Sequence, residues 1–253
     1  MVKDLKEYEY YRTENGVLYC GDCLEILPFI NNESIDLILT DPPYNISKSL
    51  VIQRNGGKFG HSKDIVYDFG EWDHGQVRWQ EFIPEFVRVL KPYGVLILFY
   101  DRLWIGHIGL FLQNRYGFKV RHIGTWVKQN PTPQARKVRW QIGTEVFLIA
   151  TKNQKSGHHF NYKLGQSPDY FTTSVNYKHE HPTQKPLPLI EWLLFYWSFE
   201  GDIVLDPFIG SGTTAVACER LGRKWIGIEI SPDYCEIAKQ RIEVEAKQIK
   251  LFM

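Results

Sequence analysis

The stretch that most constrains the fold runs from Ile203 to Ile230. An apolar run, Ile203-Val204-Leu205, leads into Asp206-Pro207-Phe208-Ile209-Gly210-Ser211-Gly212-Thr213-Thr214. The spacing then predicts a helix over Thr213–Leu221, closed by Gly222 as its C-terminal cap. A second strand follows at Trp225–Ile230, with Glu229 near its end. Strand, glycine loop, helix and strand make a βαβ unit, whose right-handed crossover joins parallel strands of one sheet. Open sheets of this kind bind ligands outside the carboxyl ends of their strands.

The chemistry of that loop narrows the ligand. Gly210 and Gly212 let the backbone approach it, and Glu229 can hold ribose hydroxyls. Gly210-x-Gly212-x-x-Ala215 also fits a dinucleotide fingerprint, so an NAD-dependent enzyme is one reading. Asp206 argues against it. A carboxylate in the loop repels a pyrophosphate, whereas it suits the ammonium and nearby sulfonium of S-adenosylmethionine.

A second motif, Thr40-Asp41-Pro42-Pro43-Tyr44-Asn45, follows a buried-strand pattern at Ile35–Leu39. Two prolines stop the strand, because neither can donate to a ladder. The residue before a proline is held extended, so Asp41 and Tyr44 are presented at a strand end by a stiff turn. A flat amino-bearing ring can stack on Tyr44 while its NH2 donates to Asp41 and to the carbonyl of Pro42 or Pro43. Fixed acceptors favour the pyramidal, nucleophilic form of an otherwise delocalised amine. An ordinary Pro-Pro turn is the plain alternative for the tetrapeptide alone.

Together these residues resemble the amino-group DNA methyltransferases. Asp-Pro-Pro-Tyr is typical of the adenine-N6 members, and Asp-Pro-Phe-x-Gly-Ser-Gly-Thr is the form of the family's cofactor loop. The catalytic tetrapeptide stands first here, with the cofactor loop far downstream. This circularly permuted order resembles the β group. The resemblance implies a single α/β domain over residues 1–253, Rossmann-like, with a doubly wound, mainly parallel sheet of about seven strands. It implies methyl transfer from S-adenosylmethionine to the N6 of an adenine flipped out of duplex DNA. Asp41, Pro42, Pro43 and Tyr44 are its catalytic residues. Asp22, Cys23, Asp41, His181, Thr183, Lys185, Asp206, Phe208, Gly210, Ser211, Gly212, Thr213, Glu229 and Ile230 hold the cofactor. Asp22, after the strand ending Cys20-Gly21, would meet the cofactor's adenine amine, although a helix N-cap is equally natural for Asp. In His181-Pro182-Thr183-Gln184-Lys185-Pro186, the ammonium of Lys185 would meet the methionine carboxylate. A cytosine-N4 enzyme, an RNA methyltransferase and a non-catalytic nucleic-acid-binding module of the same fold are the competing readings.

Charge patterning agrees with a nucleic-acid partner. The net charge is only +1, yet between Arg102 and Pro168 eleven Lys and Arg face one acid, Glu145. A basic block reads as a phosphate-facing surface. Within the irregular segment about 45–80, expected to be a mobile DNA-facing insertion, Lys48, Arg54 and Lys58 are the DNA contacts. Arg136, Lys137 and Arg139, in the proline-stiffened stretch Gln129–Trp140, are the others. A small target-recognition region is expected at about 152–180.

The four cysteines are read as buried bystanders, since Cys20-x-x-Cys23 lacks a second ligand pair. His158 and His159 have no carboxylate or cysteine close in sequence, so no metal is expected. No apolar run reaches the ~20 residues of a membrane span, and the charged N-terminus has no signal-peptide pattern. A cytoplasmic chain is expected, with double-stranded DNA as partner. A homodimer is a possible partner of β-group type, as is a cognate restriction endonuclease.

Helical spacing covers Trp79–Leu90, Leu103–Arg115 and Leu187–Phe199. A short helix is expected at Leu24–Ile30, a turn at Lys91–Gly94, and strands at Val17–Cys20, Val95–Tyr100, Phe118–Lys128 and Thr144–Thr151. A last helix opens at Ser231-Pro232 and runs into a charged tail. The first strand should lie beside the one ending in Glu229.

Overall fold

Nine strands form one sheet, and their order explains where the two motifs meet. The computed structural model describes residues 4–43, 50–52, 65–67, 78–133, 140–153, 159–175 and 184–252. In chain order the sheet strands are β1 (Glu9–Arg12), β2 (Gly16–Cys20), β3 (Ile35–Thr40), β6 (Leu90–Tyr100), β7 (Lys119–Lys128), β8 (Thr144–Thr151), β9 (Tyr170–Thr173), β10 (Ile203–Asp206) and β11 (Lys224–Glu229). A separate antiparallel pair, β4 (Leu50–Ile52) and β5 (Ile65–Tyr67), falls in the expected insertion.

Across the sheet the order is β1-β2-β11-β10-β3-β6-β8-β7-β9. From β2 to β6 all neighbours are parallel, and β8 is antiparallel to both β6 and β7. The seven expected strands are therefore present, and two short edges add to them. β1 pairs antiparallel with β2, and β9 pairs parallel with β7. The strand expected before Asp22, β2, does lie beside β11, with Cys20 opposite Glu229.

Helices cover both faces because the central strands are apolar on both sides. Every residue of β3 is buried. α2 (Trp79–Val89) and α3 (Ile105–Tyr116) pack on one face with Ile38, Leu96 and Leu98. The short α1 (Cys23–Ile26) and a 3-10 turn over Leu27–Phe29 complete that layer. α4 (Leu187–Trp197), α5 (Thr213–Leu221) and α6 (Pro232–Phe252) pack on the other face with Leu37, Leu39, Ile97 and Phe99.

Three local expectations need correction. The turn at Lys91–Gly94 lies inside β6, as a bulge: Ile35 pairs with Leu90 but Leu37 pairs with Val95, and Tyr93 takes φ 69°. The charged C-terminal tail continues α6 to Phe252, since it lacks both proline and glycine and has helix-favouring residues. The region 152–180 is not wholly irregular, because β9 extends the sheet. Phe160 and Phe171 are packing residues there, against Tyr196 and Trp192 respectively. Among the described residues no helix is long and apolar enough to cross a membrane.

Candidate functional site

β3 and β10 are neighbours, but the chain leaves them in opposite directions across the sheet: β3 is followed by β6 on one side, β10 by β11 on the other. The crevice at their carboxyl ends is the topological switch point, where open α/β sheets bind ligands. Asp41 follows β3 and Asp206 ends β10, so two residues 165 positions apart in number reach one crevice. Thr40 Oγ1 donates to Asp206 Oδ1 at 2.7 Å and ties the two strand ends together.

Asp206 is buried and well satisfied. Thr214 Oγ1 donates to its Oδ2 at 2.6 Å, and the Phe208 amide to its Oδ1 at 3.2 Å. Burial nevertheless pushes its carboxyl up to about 6, with nearby Asp41 adding to the rise and the Thr214 and Thr40 hydrogen bonds opposing it. Glu229, at the end of β11, accepts from the Gly210 amide and the Ser231 amide, each at 2.9 Å. Burial raises its pKa as well. An ionised carboxylate has about four lone-pair sites, so Glu229 can brace the loop and still accept from ribose hydroxyls.

The loop between them is anchored from both sides. Gly210 and Gly212 have φ of 53° and 82°. A Cβ on Gly212 would also come 2.9 Å from Ala238 Cβ on α6, so this glycine serves helix packing as well as loop shape. Arg241 of α6 donates to Ser211 Oγ at 2.8 Å and to Thr213 Oγ1 at 3.2 Å. Ser211 Oγ in turn donates to Gln184 Oε1 at 2.9 Å, linking the loop to the segment before α4.

That segment delivers Lys185 to Asp41. The Lys185 ammonium is buried, donates to Asp41 Oδ2, and stands 3.1 Å from Glu145 Oε2 on β8. Lys128 of β7 pairs with Glu145 Oε1 at 2.5 Å. Asp41 Oδ1 is shielded from solvent and has no hydrogen-bond donor among the described residues. Burial raises the Asp41 pKa against the pull of Lys185. Three acids with upward-shifted carboxyls thus ring the crevice, and each gains by meeting a cationic or amine donor. This set of acceptors fits an S-adenosylmethionine ammonium and sulfonium better than a pyrophosphate.

Comparison with known proteins agrees. The family profile described as DNA methylase, of the N6/N4 type, matches residues 35–240. The chain belongs to the N6/N4 DNA methylase family. Type II methyltransferase M2.LlaDCHI of Lactococcus lactis subsp. cremoris is 38% identical, covering 92% of this chain and 91% of that protein. Type II methyltransferase M2.DpnII of Streptococcus pneumoniae is 36% identical, covering 93% and 92%. Among solved structures, the M1.HpyAVI–SAM complex superposes with a TM-score of 0.69 at 31% identity, covering 88% of this chain and 98% of that one.

The remaining sites expected of this methylase sort by position. Asp22 is exposed at the end of β2, and its Oδ1 accepts from the Leu24 amide at 2.8 Å, so it caps α1. Ile230, 56% exposed, follows Glu229 at the adjacent strand end. Cys23 is buried, and burial pushes its thiol up to about 12. Phe208 packs edge-on against Phe82, 5.5 Å between centroids. Pro42 and Pro43 follow Asp41 in the described turn. Tyr44, Lys48, Arg54, Lys58, Arg136, Lys137, Arg139, His158, His181 and Thr183 lie outside the described residues.

Some of the methylase's basic block is internal. Lys128 pairs with Glu145, Lys152 donates to the Leu90 carbonyl at 2.6 Å, and Arg121 donates to Thr151 at 2.9 Å. Arg102, Arg115, Lys119 and Lys163 are exposed. His159, which has no acid close in sequence, meets two in space: its Nε2 is 3.8 Å from Asp36 Oδ1 and from Asp202 Oδ2. Lys91 already donates to both Asp36 oxygens at 2.8 Å. The cluster is an ion-pair network at the amino end of the sheet, away from the crevice. Arg241, Gln184, Thr40, Thr214, Glu145 and Lys128 are site-building residues that sequence reasoning did not select. Only Glu145, the sole acid in a basic stretch, carried a signal.

Proposed function

We propose that this methylase transfers a methyl group from S-adenosylmethionine to the exocyclic N6 of an adenine flipped out of duplex DNA. The observation that carries the reading is Asp41 Oδ1, a shielded carboxylate oxygen at the switch point with no donor among the described residues. An exocyclic amine supplies that donor. Bound S-adenosylmethionine supplies an electrophilic methyl group on a sulfonium. Asp206, the Gly210–Gly212 loop and Glu229 would hold it from the β10–β11 side, and Asp22 and Ile230 would contribute from the adjacent strand ends. Asp41 and the Pro42 carbonyl hold the target amine from the β3 side, with Tyr44 as the stacking partner for the base. Flipping costs a few kcal/mol of unstacking. Fixing both partners in attack geometry lowers the barrier. Transfer would replace the C–S bond by the new N–C bond, with the electron pair left on sulfur and one amine proton released to solvent. Asp41 stabilises the amine's developing positive charge.

Arg102, which follows the carboxyl end of β6, serves the DNA backbone with Lys48, Arg54, Lys58, Arg136, Lys137 and Arg139, and the region 152–180 serves target recognition. The Type II names of the relatives are in keeping with a role alongside a restriction endonuclease of the same recognition site; a homodimer and a cytoplasmic location are our own further reading.

The test is to methylate duplex DNA with labelled S-adenosylmethionine and digest the product to nucleosides. N6-methyladenine is expected, and N4-methylcytosine alone would overturn the adenine assignment. Asp41→Ala should lower kcat by about 10²–10³-fold, the loss typical of one preorganised polar group. Unchanged turnover would remove Asp41 from the mechanism.

A further inference from the structure

Glu145 is the one acid between Arg102 and Pro168, and the fold places it beside the catalytic turn. It opens the top of β8, opposite Trp126 of β7. Its two oxygens face two ammonium groups, Lys185 at 3.1 Å and Lys128 at 2.5 Å. Lys185 also donates to Asp41. The charges alternate along one line: Asp41, Lys185, Glu145, Lys128. Aromatic rings hold both cations in place, Phe99 with its centroid 5.1 Å from Lys185 and Trp126 with its centroid 4.9 Å from Lys128.

We propose that Glu145 is a positioning residue that sets the acceptor strength of Asp41 by dividing the charge of Lys185 between two carboxylates. The proposal rests on the methyl-transfer reading of Asp41. A carboxylate paired with a whole ammonium is largely neutralised and accepts weakly from an amine. Glu145 draws part of that charge away, so that Asp41, once ionised, keeps more of its acceptor strength. Lys128 keeps Glu145 ionised at the other end. Lys185 thus faces a carboxylate on two sides, Asp41 through a hydrogen bond and Glu145 through an ion pair at 3.1 Å.

The groups that act on Asp41 come from four directions: Lys185 before α4, Glu145 on β8, Lys128 on β7 and Asp206 at the end of β10. Burial raises the Asp41 pKa first; Lys185 lowers it, Glu145 raises it, and Lys128 lowers it. Removing Glu145 therefore leaves Asp41 ionised to lower pH yet a poorer acceptor. Removing Lys185 does the reverse to its titration. Charge proximity alone moves the titration in these two directions; what marks positioning is a lower methylation rate on the high-pH plateau, where Asp41 is fully ionised in wild type and variant alike, and buried pairs are weak contributors to stability in any case.

The experiment uses the full chain with Glu145→Gln, Lys185→Met and the charge-keeping Glu145→Asp. Two readouts are taken: single-turnover methylation of duplex DNA across pH, and carboxyl-carbon NMR titration of aspartate-labelled protein without donor, with Asp41→Asn identifying the resonance. Glu145→Gln should slow methylation about tenfold through lost positioning, and leave the donor Kd within twofold by calorimetry. It should also move both the Asp41 titration and the acid limb of the rate to lower pH. Lys185→Met should move the titration to higher pH, and Glu145→Asp should restore the wild-type position. Glu145→Ala reads the same shift if the amide does not fit. An unmoved Asp41 titration in a folded neutral variant, or movement in the same direction for Glu145→Gln and Lys185→Met, overturns the proposal. Full activity of Asp41→Asn would instead strike the underlying reading, so the two failures are distinct.

Discussion

At the scale of single residues, the crevice is built from acids held in an uncomfortable state. Asp206 has three donors, yet burial still lifts its carboxyl to about 6. A bound cation favours the ionised form and draws that value down. Binding near pH 6 must therefore release protons, and affinity must fall as pH drops below about 6, by up to tenfold per unit. Calorimetric titration of S-adenosylmethionine in two buffers of different ionisation enthalpy measures the release directly. Asp206→Asn should bind roughly tenfold or more weakly at pH 8, because it loses a charged partner, and its affinity should fall less steeply than that of wild type as pH drops below about 6. Equal proton release by wild type and variant would show that Asp206 is not the group that titrates.

At the scale of elements, the strand–loop–helix unit shows what a sequence discloses and what it withholds. Local signals sufficed for α5, because Gly222 terminates it at the expected residue with φ 67°. They sufficed for β3 as well, since an apolar run ended by two prolines has few other solutions. The edges β1 and β9 were not legible. Each has only four residues, and both are half exposed, so pairing rather than periodicity defines them. The same limit hid Arg241 and the role, though not the oddity, of Glu145, because both roles arise from contacts between distant elements. Gly212 shows the difference sharply: in sequence it marks a ligand loop, and in the structure it also admits α6. Gly212→Ala faces two penalties, a left-handed backbone at φ 82° and a Cβ 2.9 Å from Ala238. It should lose about 1–3 kcal/mol of unfolding free energy. Denaturant unfolding would read that loss, and calorimetry should show weakened donor binding, because Ser211 and Thr213 move with the loop. A variant as stable as wild type would mean that α6 yields freely at this point.

At the scale of the whole molecule, the sheet has two charged ends with different duties. The carboxyl end holds the acids of the crevice. The amino end is closed by Asp36, which joins four parts of the chain. Lys91 of β6 donates to it, the Ile203 amide of β10 donates at 2.9 Å, and His159 brings in the segment that leads to β9. Although burial opposes it, these partners hold the Asp36 carboxyl down at about 2. Its contribution to stability is therefore present above the ordinary aspartate value near 4 and is lost only as pH falls toward about 2. His159 works in the opposite sense. The Asp36 carboxylate raises its pKa, burial opposes that, and Asp202 adds to the rise. Its contribution is complete below the ordinary histidine value near 6.5, and is lost as pH climbs through the raised folded value. Across the neutral range Asp36 stays ionised, so His159 is the member of this cluster whose charge changes there. Replacing it with glutamine should then cost more stability at about pH 6, below the ordinary histidine value, than at about pH 8.5, where less of that contribution is left. Urea unfolding of wild type and His159→Gln at both pH values measures the gap. Because His159 opens the segment that ends in β9, hydrogen exchange in β9 should quicken in the variant at the lower pH. A gap that is constant or grows with pH would mean that His159 is held uncharged, and that Lys91 alone balances the acids at this end of the sheet.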